Sequence, residues 1–568
     1  MKILTNNWIK ALVINTALLL AIVLTIGPVY ETNDDYGISL KILEGYPYVY
    51  LINCWLCKAL IPVQNLLVGV NVFTCFQILA SFMGFVAVTK LAFDYKGGIT
   101  GKVITIACIV LYAGDHYCMV QYTKTSALLL AAGCIVLVDA VIRKRCLGYF
   151  ILSGVLLFSG AALRFINVYP AVAFAGLFCV FVFISERKNI EWGEYFSKKM
   201  LILYGITIVM LGGIIVSDYN SDNNDVVKEY AKYNSNRSKI TDYTVYENYE
   251  NFKEIYNDAG ISENDLYMIR YWYQDENGSA SLENMEKINS IHENNYESSV
   301  TIGEAIKTFI RDTAKEVRSF TRTGMHILLL VLLALAGMIK LKPKHTWYIL
   351  ALGLFSIAMY VYVHYGERTV YRATYSIDVN ATLWLIYYEQ MMSVKNAGPL
   401  SRARRIAEIC MAAIIALAVG LMMNPFYEKA GDTIDKSRSQ LMPDNVTEYF
   451  NNHKDNFYIF SNGDKELSEY YLTPLRIPEK GFEINMICMG GWGTGSKFNH
   501  DKFGHYGLKE MYRDSIDNDR IFIVESRNID RLTEYYNKWY GDSSYRIEFE
   551  FYKELDGYML YQIKRIGN

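Results

Sequence analysis

Asp34 and Asp35 stand side by side directly after the first long apolar run, Ala11 to Tyr30, in the stretch Glu31-Thr-Asn-Asp-Asp-Tyr-Gly37. A carboxylate close to hydrocarbon loses hydration, so a pair there is kept at a cost. Burial and a neighbouring carboxylate both raise a carboxyl pKa from about 3.9 towards that of a useful base. Adjacent aspartates tend to point in different directions. One is therefore expected to be the base and the other to orient it. The bland alternative is a solvated helix-end loop, because Asn-Asp-Asp-Tyr-Gly is also a good turn sequence.

The outer ends of later apolar runs carry cations. These are Lys124, Arg164, Arg368 and Arg372, the expected ligands of a lipid phosphate. A phosphate leaving group needs cations rather than an acid, and arginine suits its oxygens. Asp115, His116, Gln121, His364 and Tyr371 accompany them as further candidates for contact with substrate. Each cation alone could instead snorkel to headgroups or pair with an acid such as Glu367. No cluster has metal-ligand spacing, although a divalent cation could bridge Asp34 or Asp35 to a phosphate. No other cofactor is implied.

These residues need membrane helices to position them. Of 568 residues, 52% are hydrophobic, and they come in blocks. The blocks are about 17–25 residues long, the length that spans a bilayer. Spans are expected near 11–30, 66–92, 102–114, 124–142, 147–163, 168–185, 200–216, 324–340, 346–363, 373–390 and 406–424. Lys2 and Lys10 precede the first block with no small-residue cleavage site after it, so it reads as a retained helix. With the N-terminus inside, each inner loop is basic. The loops hold Lys96 and Lys102, Arg143 to Arg145, Arg187 to Lys199, Lys340 to Lys344, and Lys395 to Arg405. The fold expected is a polytopic α-helical membrane protein of about eleven spans, N-terminus in and C-terminus out.

Four parts follow. Residues 1–216 form a membrane module whose first outer loop, 31–65, holds the aspartates and amphipathic pieces broken at Gly45 and Pro47. Residues 217–322 form a charged, tyrosine-rich, mainly helical insertion outside the membrane, with Ser262 as a helix cap. Its mixtures of charge and aromatics, Asn236 to Tyr243 and Arg270 to Asp275, suit either a sugar-binding surface or a helical rim. Residues 323–424 hold the last four spans. Residues 425–568 read as an extracytoplasmic α/β domain. Its strands are expected at 457–461, 484–489 and 520–525, with a hairpin turning at Asp556-Gly557. The glycine-rich run Met489 to Ser496 lacks a P-loop lysine and dinucleotide spacing. It is either a plain connection or a loop holding Trp492 near the membrane site.

The topology, the Asn33-Asp34-Asp35 position and the outer basic residues resemble the GT-C superfamily of membrane glycosyltransferases. That resemblance implies a sugar donor linked to a polyprenyl phosphate or diphosphate, and inversion by a carboxylate base in the first outer loop. It implies Asp34 or Asp35 as that base and the four cations as phosphate ligands. The acceptor would be an extracytoplasmic glycan, lipid or protein of the cell envelope. The partners would be that donor, an unknown acceptor and the bilayer, in a bacterial plasma membrane.

A transporter or flippase for a lipid-linked intermediate is the alternative, and would want mid-span charge and internal repeats. Asp378 and Asp139 are the mid-span acids, and no repeat is visible. A non-catalytic envelope assembly protein is a further alternative. The net charge of −2, with no basic run, points away from nucleic acid. Ten cysteines, mostly in apolar blocks, form no disulfide framework.

Overall fold

The structure, a computed structural model, describes residues 6–95, 98–186, 192–242, 249–295, 300–366, 369–395, 402–461 and 469–567. The first part contains helices α1 (Asn7–Thr25), α2 (Asn33–Leu43), α3 (Cys54–Leu66), α4 (Val72–Asp94), α5 (Ile99–Cys118), α6 (Tyr122–Ile142), α7 (Leu147–Leu163), α8 (Val168–Glu186), α9 (Trp192–Tyr195) and α10 (Lys198–Asp222). The insertion contributes α11 (Asp225–Thr241), α12 (Lys253–Asp258), α13 (Glu263–Arg270), α14 (Leu282–Asn295) and α15 (Ile302–Arg318). Then come α16 (Arg322–Lys340), α17 (Pro343–Tyr365), α18 (Tyr371–Lys395) and α19 (Arg402–Arg438). The last part holds α20 (Asp444–Asn452), α21 (Lys497–Gly504) and α22 (Ile529–Tyr540).

Each of the eleven expected spans contains a helix, although the first ends at Thr25 rather than 30 and the second begins at Val72 rather than 66, and not all are apolar. Among the described residues nine helices are long and apolar enough to cross a membrane: α1, α4, α5, α6, α8, α10, α16, α17 and α19. Helix α7 is apolar but has 17 residues. Helix α18 has the length but carries Asp378, Asn380, Glu389 and Gln390, all buried. The multi-pass expectation therefore rests on nine helices rather than eleven. Helix α19 also runs to Arg438, past the expected boundary at 424.

Helix α6 is buried along most of its length, packed by α4, α7, α8 and α18. A helix enclosed on every side needs no polar face, which is why its sequence shows no amphipathic period. Small residues let α6 and α7 approach. A Cβ on Gly160 would lie 3.0 Å from the Ser126 carbonyl oxygen. Two short strands, β1 (Val29–Tyr30) and β2 (Met119–Val120), pair in parallel. They tie the chain just before α2 to the chain just after α5.

The C-terminal part folds as the sequence pattern implies. Strands β3 (Phe457–Phe460), β4 (Met486–Cys488), β5 (Ile521–Val524), β6 (Tyr545–Leu555) and β7 (Tyr558–Gly567) form one sheet in the order β4-β3-β5-β7-β6. Asp556 and Gly557 both have positive φ, 49° and 86°, as the tight turn between β6 and β7 requires. Ser262 caps α13, its hydroxyl accepting from the Asp265 amide while the Asp265 carboxylate accepts from the Ser262 amide. The insertion packs on the sheet: the Tyr273 hydroxyl donates to Glu525 at 2.8 Å, and Asp275 accepts from Tyr535 and Tyr540.

Candidate functional site

The aspartate pair lies in the first turn of α2, not in a loop. Acids there meet the positive end of the helix dipole. Successive helical residues are rotated by about 100°, so the two carboxylates face different surroundings. Asp35 points inward and is fully buried. Its Oδ1 accepts from Gln77 Nε2 at 3.0 Å and from the Tyr122 amide at 2.9 Å. Burial and the Asp34 charge hold its carboxyl well above the usual range. Asp34 points outward into a cavity of about 970 Å³. Burial raises its carboxyl pKa, and the nearby guanidinium groups of Arg372 and then Arg164 oppose that rise. Arg372 Nη1 lies 3.2 Å from Asp34 Oδ2.

Several elements wall this cavity. Arg164 ends α7, and Asn167 donates to the Thr123 carbonyl at 2.9 Å, fixing the turn into α8. Helix α11 contributes Asn234 and Arg237. The Arg237 guanidinium sits 4.9 Å over the Trp272 ring and donates to Asn234 at 2.7 Å. Ile166, Pro170, Met359 and Val363 make an apolar border between α8 and α17. The arrangement offers a carboxylate, Asp34, beside two arginines, with an apolar flank for a hydrocarbon chain; Asp242 and Glu483 also line the cavity.

Trp492 reaches the same cavity from the loop after β4. Its ring lies against Gly37, where a Cβ would be 2.6 Å from Trp492 Cζ2. Lys41 Nζ stands 3.8 Å above the centre of that ring. Gly37→Ala is therefore expected to dislodge Trp492 from α2. Acrylamide quenching of Trp492 emission, taken against Trp492→Phe, should increase. Unchanged quenching would mean the ring gives way without leaving its seat.

The expected residues do not all meet. Asp34, Arg164, Arg372 and Trp492 share the cavity, whereas Lys124 does not line it. Lys124 is fully buried, with its Nζ 2.7 Å from Glu31 and 3.0 Å from Asp115. A second cation, Arg322, joins the same acids at 3.0 and 3.3 Å. Tyr371 donates to Asp115 at 2.8 Å. Lys124 is thus paired with two carboxylates and does not join Arg164 and Arg372, the cations expected to hold the same phosphate, in the cavity wall. Asp115 belongs to the same network, and Tyr371 and Arg322 also line a second cavity, the one that holds His364. Gln121 is spent as the cap of α6, accepting from the Lys124 amide. His116 is buried between Ser81 at 3.1 Å and Tyr375 at 2.5 Å. His364 lines a separate cavity of about 560 Å³, its Nδ1 2.9 Å from the Tyr360 carbonyl. Arg368 lies outside the described residues.

Sequence reasoning missed Arg237, Lys41, Glu31 and Arg322. Arg322 stands at the outer end of an expected span, so the criterion that selected Arg372 would have found it. Arg237 falls within the charged aromatic stretch noted in the insertion. Among the described residues no group of three or more His, Cys, Asp or Glu side chains could hold a metal ion. No family model and no curated protein matches the chain.

Proposed function

We propose that this chain is a multi-pass membrane glycosyltransferase of the GT-C type, using a sugar donor linked to a polyprenyl phosphate or diphosphate. The observation that carries the reading is Asp34, a carboxylate with a burial-raised pKa, facing a large cavity beside Arg372 and Arg164. The donor phosphate sits on the two arginines, and its hydrocarbon chain leaves along the apolar border between α8 and α17. Asp34 takes the proton of the acceptor hydroxyl. That oxygen forms a bond to the anomeric carbon as the bond from carbon to phosphate oxygen breaks. The phosphate leaves with the electron pair, and a single displacement inverts the anomeric centre. Asp35 holds α2 in register through Gln77 and Tyr122 and is the orienting partner.

Arg372 has a second effect. Paired to Asp34, it makes that carboxylate a weaker base. Moving towards the donor phosphate, it releases the carboxylate, so full basicity develops only with donor bound. The cavity, the insertion and the C-terminal domain lie outside the cytoplasm in this reading, where the membrane is a bacterial plasma membrane.

The test is binding of a polyprenyl phosphate to the purified protein, followed by native mass spectrometry. Arg164→Ala and Arg372→Ala should each weaken it at least about tenfold, the worth of one charged hydrogen bond. Wild-type affinity in both variants would remove the phosphate from this cavity and the reading with it.

A further inference from the structure

Arg237, Lys41 and Lys502 are cations in the cavity wall that the transfer chemistry does not use, and Lys41 shares helix α2 with Asp34. It is 6% exposed, and it lines the cavity. Among the described residues its Nζ has no hydrogen-bond or ion-pair partner, and it sits over the face of Trp492. The Phe498 ring lies 5.5 Å away. A buried ammonium without a counterion is costly, and chains seldom keep one without use. Trp492 recovers part of that cost through its ring face. The remainder is available to an anion entering the cavity.

Helix geometry fixes where such an anion would sit. Asp34, Gly37 and Lys41 are spaced three, four and seven apart, so they share one face of α2. Seven residues rise by about 10 Å along the axis. Helical side chains lean towards the N-terminus, which brings Lys41 back over Gly37 and towards Asp34. Gly37 has no side chain to block the way, and Trp492 forms the floor between the two charged groups. A sugar lying on that aromatic floor with its reacting hydroxyl at Asp34 would reach Lys41 with a more distant substituent.

Resting on the transferase reading, we propose that the substrate lying over Trp492 is anionic, and that Lys41 binds its carboxylate or phosphate group. The donor phosphate is a different group, held at Arg164 and Arg372. The chemistry required is an oxyanion on a sugar one or two rings from the reacting hydroxyl. A uronic acid or a phosphate-substituted sugar supplies it.

The protonation of Lys41 fits this role. Burial lowers its pKa to about 7. Cys57 is the titratable neighbour on α3, and burial keeps its thiol protonated, with a pKa pushed up to about 12. Glu483 and Lys502 line the cavity from the C-terminal part, and Glu483 accepts from the Tyr36 hydroxyl at 3.0 Å. Only the ammonium form binds an anion, so affinity should be full below pH 7 and decline above it. A bound anion in turn favours that form.

The experiment measures equilibrium binding to the full-length protein in detergent, without turnover. The probes are glucuronate and inorganic phosphate, with glucose as the neutral control. The readout is the emission that Trp492→Phe removes. We expect glucuronate, phosphate or both to change that emission, with affinity declining above pH 7. Lys41→Met should weaken binding at least tenfold, and Lys41→Arg should restore it and abolish its decline above pH 7. A response to glucuronate alone assigns a carboxylate sugar, and a response to phosphate alone assigns a phosphorylated one. Either supports the proposal. If Lys41→Met binds as wild type does, or if Arg372→Ala abolishes the response and Lys41→Met does not, the proposal is overturned. No response to either probe also overturns it. Polyprenyl phosphate binding that still depends on Arg164 and Arg372 would leave the transferase reading standing in each of those cases.

Discussion

Asp34→Asn is expected to lower sugar transfer by about two to four orders of magnitude, the usual worth of a positioned general base. The amide fits the same space but cannot take a proton. The fold should tolerate it. Asp34 and Arg372 are 17% and 31% exposed in their side chains, and such a partly solvated pair contributes at most about 1 kcal/mol. Purified yield and melting temperature should therefore stay near wild type while transfer from extracted lipid-linked sugars is lost. The pH profile gives a second readout. In the proposed mechanism Asp34 acts as the carboxylate, and burial raises its pKa above the usual value. Activity should thus decline as the pH is lowered, beginning at a higher pH than a free aspartate would dictate. The residual activity of Asp34→Asn should lack that acid limb. Wild-type transfer in Asp34→Asn would end the assignment. Asp35→Ala should behave differently. It leaves the Gln77 amide and the Tyr122 N–H buried without a partner, at about 1–3 kcal/mol each, so its first symptom is lost stability.

Lys124→Met is expected to destabilise the protein by about 3–5 kcal/mol, the range for breaking a buried ion pair from one side. Glu31 and Asp115 would then face each other with Arg322 alone between them. The side chains of Lys124 and Asp115 are fully buried, and that of Glu31 is 9% exposed, so water cannot take over the lost charge. Lys232→Met is the control, because Lys232 and its partner Glu286 are 62% and 46% exposed. That change should cost no more than about 1 kcal/mol. Thermal unfolding in one detergent compares the two. Equal midpoints would show that the network contributes nothing to the fold. The network also matters to the cavity. It binds Glu31, two residues before α2, to α5, α6 and α16, and so sets where α2 begins. A damaged network should misplace Asp34 even in molecules that remain folded.

Much of this arrangement was legible in the chain, and what was not has a common cause. Apolar runs and basic loops marked the helices, because length and hydropathy are local properties. The β3, β4 and β5 strands and the Asp556-Gly557 turn were legible for the same reason. Asp34 and Asp35 were found, but their division of labour needed the winding of α2, which puts one on the cavity and the other against α4 and α6. Lys124 looked like Arg164 and Arg372 in sequence. Its difference is its pairing with Glu31, which the packing of β1 against β2 brings to it, and with Asp115, which the turn from α5 into α6 brings to it. Lys41 was hidden in a stretch that read as interfacial, where a lysine ordinarily reaches water. Its isolation depends on Trp492, distant in the chain and close in space.

Helix α18 carries a consequence for how the protein is made. Its buried Asp378, Asn380, Glu389 and Gln390 suit a seat inside the bundle and would be costly against lipid. A translocon sorts each nascent segment by its apolarity, so α18 alone would be a poor candidate for release into the bilayer. Its packing partners are α4, α5, α6, α8, α16 and α17, and every one of them is synthesised earlier. The order of synthesis thus provides a ready-made groove before the demanding segment emerges. A topology reporter fused after α18 should register insertion in the full nascent chain. The same helix transplanted behind an unrelated leader should stay unintegrated.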